Sequence, residues 1–153
     1  MRSLILALFL SLAAVTAQAE NQTPYSGTVV VETGKPFASY LKKLKSAITA
    51  NRLGIVAQAC ATCGAKAIGV SIPGNRVIMV FAANFAVRML KASEAAGIEA
   101  PLRLYVTERS DGTARLTYRL PSHVFAPYEV TALDQMAVEL DQIFAEIIRQ
   151  AGS

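Results

Sequence analysis

The sequence predicts an α/β (α+β) two-layer sandwich in which one mixed sheet is covered by helices. Three observations carry this expectation. Apolar residues recur with a period of two in some segments and near 3.6 in others, in the order strand, helix, strand, short helix, strand, helix, strand, strand, helix. A single tight hairpin signal, Ser110-Asp111-Gly112-Thr113, joins two alternating runs, Leu102 to Glu108 and Ala114 to Tyr118. The length of 153 residues suits one domain with a real core, and no repeat, low-complexity stretch or linker divides it.

The elements follow in order. Arg2, the apolar run Leu4 to Val15 and Ala17-Gln18-Ala19 before Glu20 have the layout of an export signal cleaved after Ala19. The run is too short for an uncleaved span, which takes roughly 20 apolar residues. Residues 20–27 form a polar lead expected to be mobile, and residues 28–151 the single domain. Thr28 to Val31 is a β-branched strand. Pro36 suits the first turn of a helix whose Phe37, Tyr40, Leu41, Leu44, Ala47 and Ile48 share a face before Asn51 and Gly54 end it. Leu53 to Ala59 is nearly all apolar, the pattern of a strand buried on both faces.

A short helix is predicted over Thr62 to Ile68, then a turn at Pro73-Gly74-Asn75 and the strongest strand, Val77 to Phe81. Asn84 is placed to cap a helix carrying Phe85, Val87, Met89 and Leu90 and ending at Gly97. After Pro121 and Pro127 the last helix starts near Thr131, where Thr131 and Asp134 approximate a capping box. Its stripe of Leu133, Met136, Leu140, Phe144 and Ile147 is regularly amphipathic.

Removing 19 of the 153 residues leaves 134, and with Arg2 gone the formal charge falls from +4 to +3. The basic residues are scattered apart from Lys42, Lys43 and Lys45, on the polar face of a predicted helix with no aromatic residues between them, so nucleic acid is not an expected partner. Charges interrupt every later apolar segment, so no membrane span is expected after the leader. The destination is then the periplasm or the exterior.

Cys60 and Cys63 stand three positions apart directly after a predicted strand. In an oxidising compartment they are expected to form a disulfide. If the pair opens a helix, the helix amides favour the Cys60 thiolate, which is how a dithiol becomes a redox agent with Cys60 attacking and Cys63 resolving. A four-residue loop staples weakly, by about 2 kcal/mol in the chain-entropy model. Against redox chemistry, the surroundings lack the aromatic and proline residues of a thioredoxin-like site, and the chain has no Trp. Gly64 stands where covalent haem attachment needs His, and two cysteines with one distant histidine do not make a four-ligand zinc site unless two subunits pool their pairs. No cofactor or metal is therefore expected.

His123, the one histidine, reads as an exposed turn residue, and Glu94, Glu99, Glu108 and Asp111 as solvated positions. No nucleophile turn or paired-acid arrangement accompanies them, which points away from catalysis. Asn84 and Arg88 are the candidate ligand-binding residues: a strand-to-helix junction offers free amides to an anion, and Arg88, one turn on, adds charge.

Asn75 to Phe81, then Ala83-Asn84-Phe85-Ala86-Val87-Arg88-Met89-Leu90, then Ala100-Pro101-Leu102-Arg103-Leu104-Tyr105-Val106, together with Asp111-Gly112 and Leu120-Pro121, resemble the family called Domain of Unknown Function 302. The resemblance covers Val29 to Ala151. It implies a two-layer α/β domain, often exported in bacteria and in some cases dimeric, with no assigned reaction. Phe85 stands where many members have Pro, and Ala100 where many have Leu. The cysteine pair is outside the family pattern. Three functional classes remain open: a module binding a small ligand or a periplasmic protein, a thiol–disulfide redox protein, and a structural homodimer.

Overall fold

The hydrophobic periodicities resolve into five strands and five helices in a computed structural model that describes residues 24–153. The expected export leader, residues 1–19, lies outside the described residues. The elements are β1 (Thr28–Pro36), α1 (Phe37–Ala50), β2 (Gly54–Ala59), α2 (Ala61–Ala67), β3 (Asn75–Phe81), α3 (Ala83–Ala92), β4 (Leu102–Glu108), β5 (Thr113–Arg119), α4 (Pro121–Phe125) and α5 (Thr131–Gly152). A 3-10 turn, Ala95–Glu99, follows α3, and another, Ala126–Tyr128, follows α4.

The strands form one sheet in the order β1-β5-β4-β3-β2. The α+β sandwich is as expected, but every strand pair is antiparallel, so the sheet is not mixed. The helical connections of the middle of the chain do not act as parallel crossovers. α2 is seven residues long with no buried side chain, and so has no face with which to pack across a sheet. The long crossing is made by α1, which touches β1, β2, β4 and β5 and carries the chain from one sheet edge to the other.

The core lies between one face of the sheet and the helices α1 and α5. Ile78, Val80, Leu104, Val106, Leu116 and Tyr118 face Tyr40, Leu44, Ile48, Phe144 and Ile147, and the Tyr118 and Phe144 rings sit 5.6 Å apart. Each such side chain contributes roughly 1.5–3 kcal/mol by leaving water. A second cluster, Met89, Phe125, Leu133, Met136 and Leu140, joins α3 and α4 to α5.

Several local expectations are corrected. β2 is not buried on both faces: it is an edge strand, and of its residues only Ile55 is even half-buried. Its apolar run therefore marks an exposed edge. Asn84 does not cap α3. β3 runs to Phe81 and the first helical bond is Ala86 N–H to the Ala82 carbonyl, so Ala82 takes the cap position and Asn84 falls within the first turn. Thr131 is likewise already helical, Val130 precedes it, and no side-chain capping bond forms. His123 is a half-buried residue of α4, whose proline opens the helix and leaves no free turn there. The polar lead is tied down at its end, because Gly27 accepts a hydrogen bond from Leu120 N–H at 2.8 Å.

Candidate functional site

Cys60 follows β2 directly and occupies the N-cap of α2. A disulfide joins it to Cys63 with the Cα atoms 5.2 Å apart. The Cys63 amide donates to Cys60 Sγ at 3.1 Å, and the Gly64 amide to the Cys60 carbonyl at 3.1 Å. Cys63 is exposed and Cys60 half-buried, so the pair is open to solvent. Thr62 holds the loop that returns to β3 through its hydroxyl on the Pro73 carbonyl. Ile68 and Val70, beyond the far end of α2, are 78% and 49% exposed.

Asn84 and Arg88 are both on the outer side of α3. Arg88 is engaged: its guanidinium donates twice to Glu139 of α5, both bonds at 2.7 Å, and lies 5.3 Å from the Phe85 ring centroid. That bidentate pair holds the Glu139 carboxyl below, and the Arg88 guanidinium above, their ordinary ranges. An anion at the start of α3 would find Arg88 already neutralised.

The face of the sheet away from α1 and α5 carries three cross-strand rows. One is polar, Glu32, Arg115, Thr107 and Asn75. Here Glu32 accepts from Arg115 at 2.7 Å and from Arg109 at 2.5 Å, which lowers its carboxyl pKa. The Asn75 amide donates to the Tyr105 hydroxyl at 2.6 Å. The second row is Val30, Thr117, Tyr105, Val77 and Ala59. The third holds Arg119, Arg103, Met79 and Ala57. Val30, Tyr105 and Phe81 remain about 40% exposed, and Arg103 and Arg119 are exposed.

At the junction of the two core clusters a half-open cavity of about 40 Å³ lies among Phe81, Phe85, Met89, Phe125, Met136 and Phe144. Its walls are almost wholly apolar and its volume is near that of one water, far below the roughly 300 Å³ at which small-molecule pockets begin. Lys42 and Lys43 border a shallow groove between α1 and α5, where Lys43 reaches the Ser153 carbonyl oxygen at 3.0 Å. The carboxylates have local duties. Glu108 accepts the Gly74 amide at 2.7 Å, Glu99 accepts the Tyr128 hydroxyl at 3.1 Å, and Asp111 accepts the Thr113 amide and hydroxyl inside the hairpin. Among the described residues no three His, Cys, Asp or Glu side chains gather as a metal site would need, and no helix is long and apolar enough to cross a membrane.

Sequence reading singled out the cysteine pair and Asn84 with Arg88, which the fold places on separate elements, and it missed the sheet face. The signal was present in the alternation of Arg103, Tyr105 and Thr107 against Leu104 and Val106. What could not be seen is which face the helices would choose.

A two-layer α+β domain with a single antiparallel sheet, helices on one side and an exposed disulfide turn at one edge strand is the class that fold and surface define. The model of a domain of unknown function, DUF302, matches residues 28–151, and the chain belongs to that family. It is similar in fold to an uncharacterised conserved DUF302 protein from Bacillus stearothermophilus, known from a crystal structure, with a TM-score of 0.74 and 16% identity, over 83% of this chain and 99% of that one. No curated protein matches.

Proposed function

We propose that the protein is an exported binding module whose partner is another periplasmic protein, engaged on the sheet face that the helices leave open. The observation that supports this is the composition of that face: Val30 and Tyr105 stand exposed beside Met79, with Arg103 and Arg119 next to them. An aromatic and aliphatic centre with arginine at its margin is what protein interfaces favour. The charge calls for a partner that presents carboxylates beside apolar side chains. Export rests on the leader-like first 19 residues.

The test begins with the mature chain and its Tyr105→Asp variant, immobilised and exposed to periplasmic extract of the parent cell. One retained protein, lost with Tyr105→Asp and protecting β3 to β5 from hydrogen exchange, is the expected result. Retention unchanged by Tyr105→Asp, or a dimer in sedimentation that Tyr105→Asp dissolves, overturns the reading in favour of another surface or of a structural homodimer.

A second reading is favoured by the solvent-open disulfide and the amide aimed at Cys60 Sγ. In that reading a partner thiolate attacks the disulfide, forms a mixed disulfide, and is displaced as its own disulfide by its second thiol. Cys60 and Cys63 are left as the reduced dithiol, two electrons having passed. A reduction potential near or above the glutathione range supports exchange, whereas one below about −300 mV marks a structural bond.

A further inference from the structure

Arg103 and Arg119 form a pair with no ion-pair partner among the described residues. The β4–β5 ladder pairs Leu104 with Tyr118, and one step further places Arg103 opposite Arg119 on the open face. Like charges directly opposite on neighbouring strands repel. Four other arginines are neutralised at short range, Arg109 and Arg115 by Glu32, Arg88 by Glu139 and Arg149 by Glu146, whereas Arg52 and Arg76 form no ion pair among the described residues. Arg103 and Arg119 have neither an ion pair nor a side-chain hydrogen bond among the described residues. Four residues along β5 from Arg119, the sequence balances such a cluster internally, for there Glu32 sits between Arg109 and Arg115.

Both side chains border one cleft of about 110 Å³, with Leu102 and Val124 on its apolar side and Glu99 on the remaining wall. Glu99 is already the acceptor of the Tyr128 hydroxyl. The cleft is thus a small hollow lined by two arginines, an apolar side and one acidic residue. Guanidinium groups are matched in geometry to planar or tetrahedral oxyanions and bind them with paired N–H donors.

We infer that this cleft is a binding site for a single oxyanion, a carboxylate or a phosphate, held between Arg103 and Arg119. The inference rests on the reading of the open face as the working surface, since an acidic group of the partner is the natural occupant; a free anion offers the same chemistry. Glu99 limits affinity and selects against anions that extend towards the 3-10 turn.

The experiment is an NMR titration of the mature protein at low ionic strength, following the arginine Nε–Hε signals with inorganic phosphate, with acetate, and with chloride at matched ionic strength. Saturable shifts of Arg103 and Arg119 with phosphate or acetate, absent with chloride, are expected. Arg119→Gln should weaken binding about tenfold, the low end for a lost charge-assisted hydrogen bond. Glu99→Gln should tighten it by about threefold through relief of repulsion. Arg149→Gln, in the helix layer, should leave it unchanged. If Arg119→Gln perturbs the fold, Arg103→Lys keeps the charge and removes the fork, and the same weakening is expected. Tighter saturation by acetate assigns the site to a carboxylate, and by phosphate to a phosphoryl group. Non-saturating shifts, shifts equal with chloride, or affinity that neither arginine variant changes overturn the site. Failure here, with capture still lost in Tyr105→Asp, removes the cleft and leaves the proposed function standing. Saturable anion binding with capture unaffected by Tyr105→Asp does the reverse.

Discussion

The imidazole of His123 occupies the space above Gly27, where a β-carbon would lie 2.0 Å from Cγ of the ring. Gly27 also has φ +74°, a conformation that side chains other than hydrogen disfavour. The residue thus joins the start of β1 to α4 by close approach, and the Leu120 amide on its carbonyl completes the junction.

Gly27→Ala is expected to destabilise the domain by about 2 kcal/mol or more, from clash and positive φ together. Pairing it with His123→Ala should recover only the part due to the ring, because the β-carbon of residue 123 would still lie 2.5 Å from the one added at Gly27. Urea unfolding of the four proteins of this cycle measures both parts. Strict additivity would mean that the ring and Gly27 do not compete for the same space.

Tyr40 is 1% exposed and its hydroxyl has no hydrogen-bond partner among the described residues. Burial, with a smaller contribution from Tyr118, pushes its pKa up to about 12 from 10.0. The unfolded chain therefore loses this proton at lower pH than the folded one. The associated stability, of the order of 3 kcal/mol, is present below pH 10 and disappears as pH rises towards 12. Tyr40→Phe should flatten that alkaline loss, while near neutrality it should change stability by less than about 1 kcal/mol, since no hydrogen bond is broken. Thermal melts from pH 7 upward check both statements.

Replacing both Cys60 and Cys63 with Ser should lower global stability by no more than about 2 kcal/mol, the chain-entropy value for so short a loop. α2 buries no side chain, so its release should not propagate to the core. Limited proteolysis should cut the reduced or substituted protein between residues 61 and 73 before any other site. A large global loss would assign α2 a packing role.

Phe144→Ala should cost about 4 kcal/mol. The ring is 1% exposed, lies tilted against the Tyr118 ring and borders the apolar cavity, so its removal merges new space with the existing 40 Å³. The enlarged cavity should stay dry and take up xenon, which crystallography under xenon pressure would detect.

By itself, the sequence determined the element order apart from α4, the β4–β5 hairpin and the amphipathic faces of α1 and α5. These are local matters: a period of 3.6 or two, an Asp111-Gly112 turn with Gly112 at φ +78°, and apolar stripes that have to leave water. It also placed Cys60 and Cys63 at a strand end, where their spacing permits a disulfide. Tertiary structure alone decided that β2 is an edge strand, because an apolar run reads the same in the middle of a sheet as at its margin. It decided that Arg88 meets Glu139, 51 residues away, and that Arg103 and Arg119 border one cleft. Charges on separate elements become neighbours only through register, and register is set by which face of the sheet the helices cover.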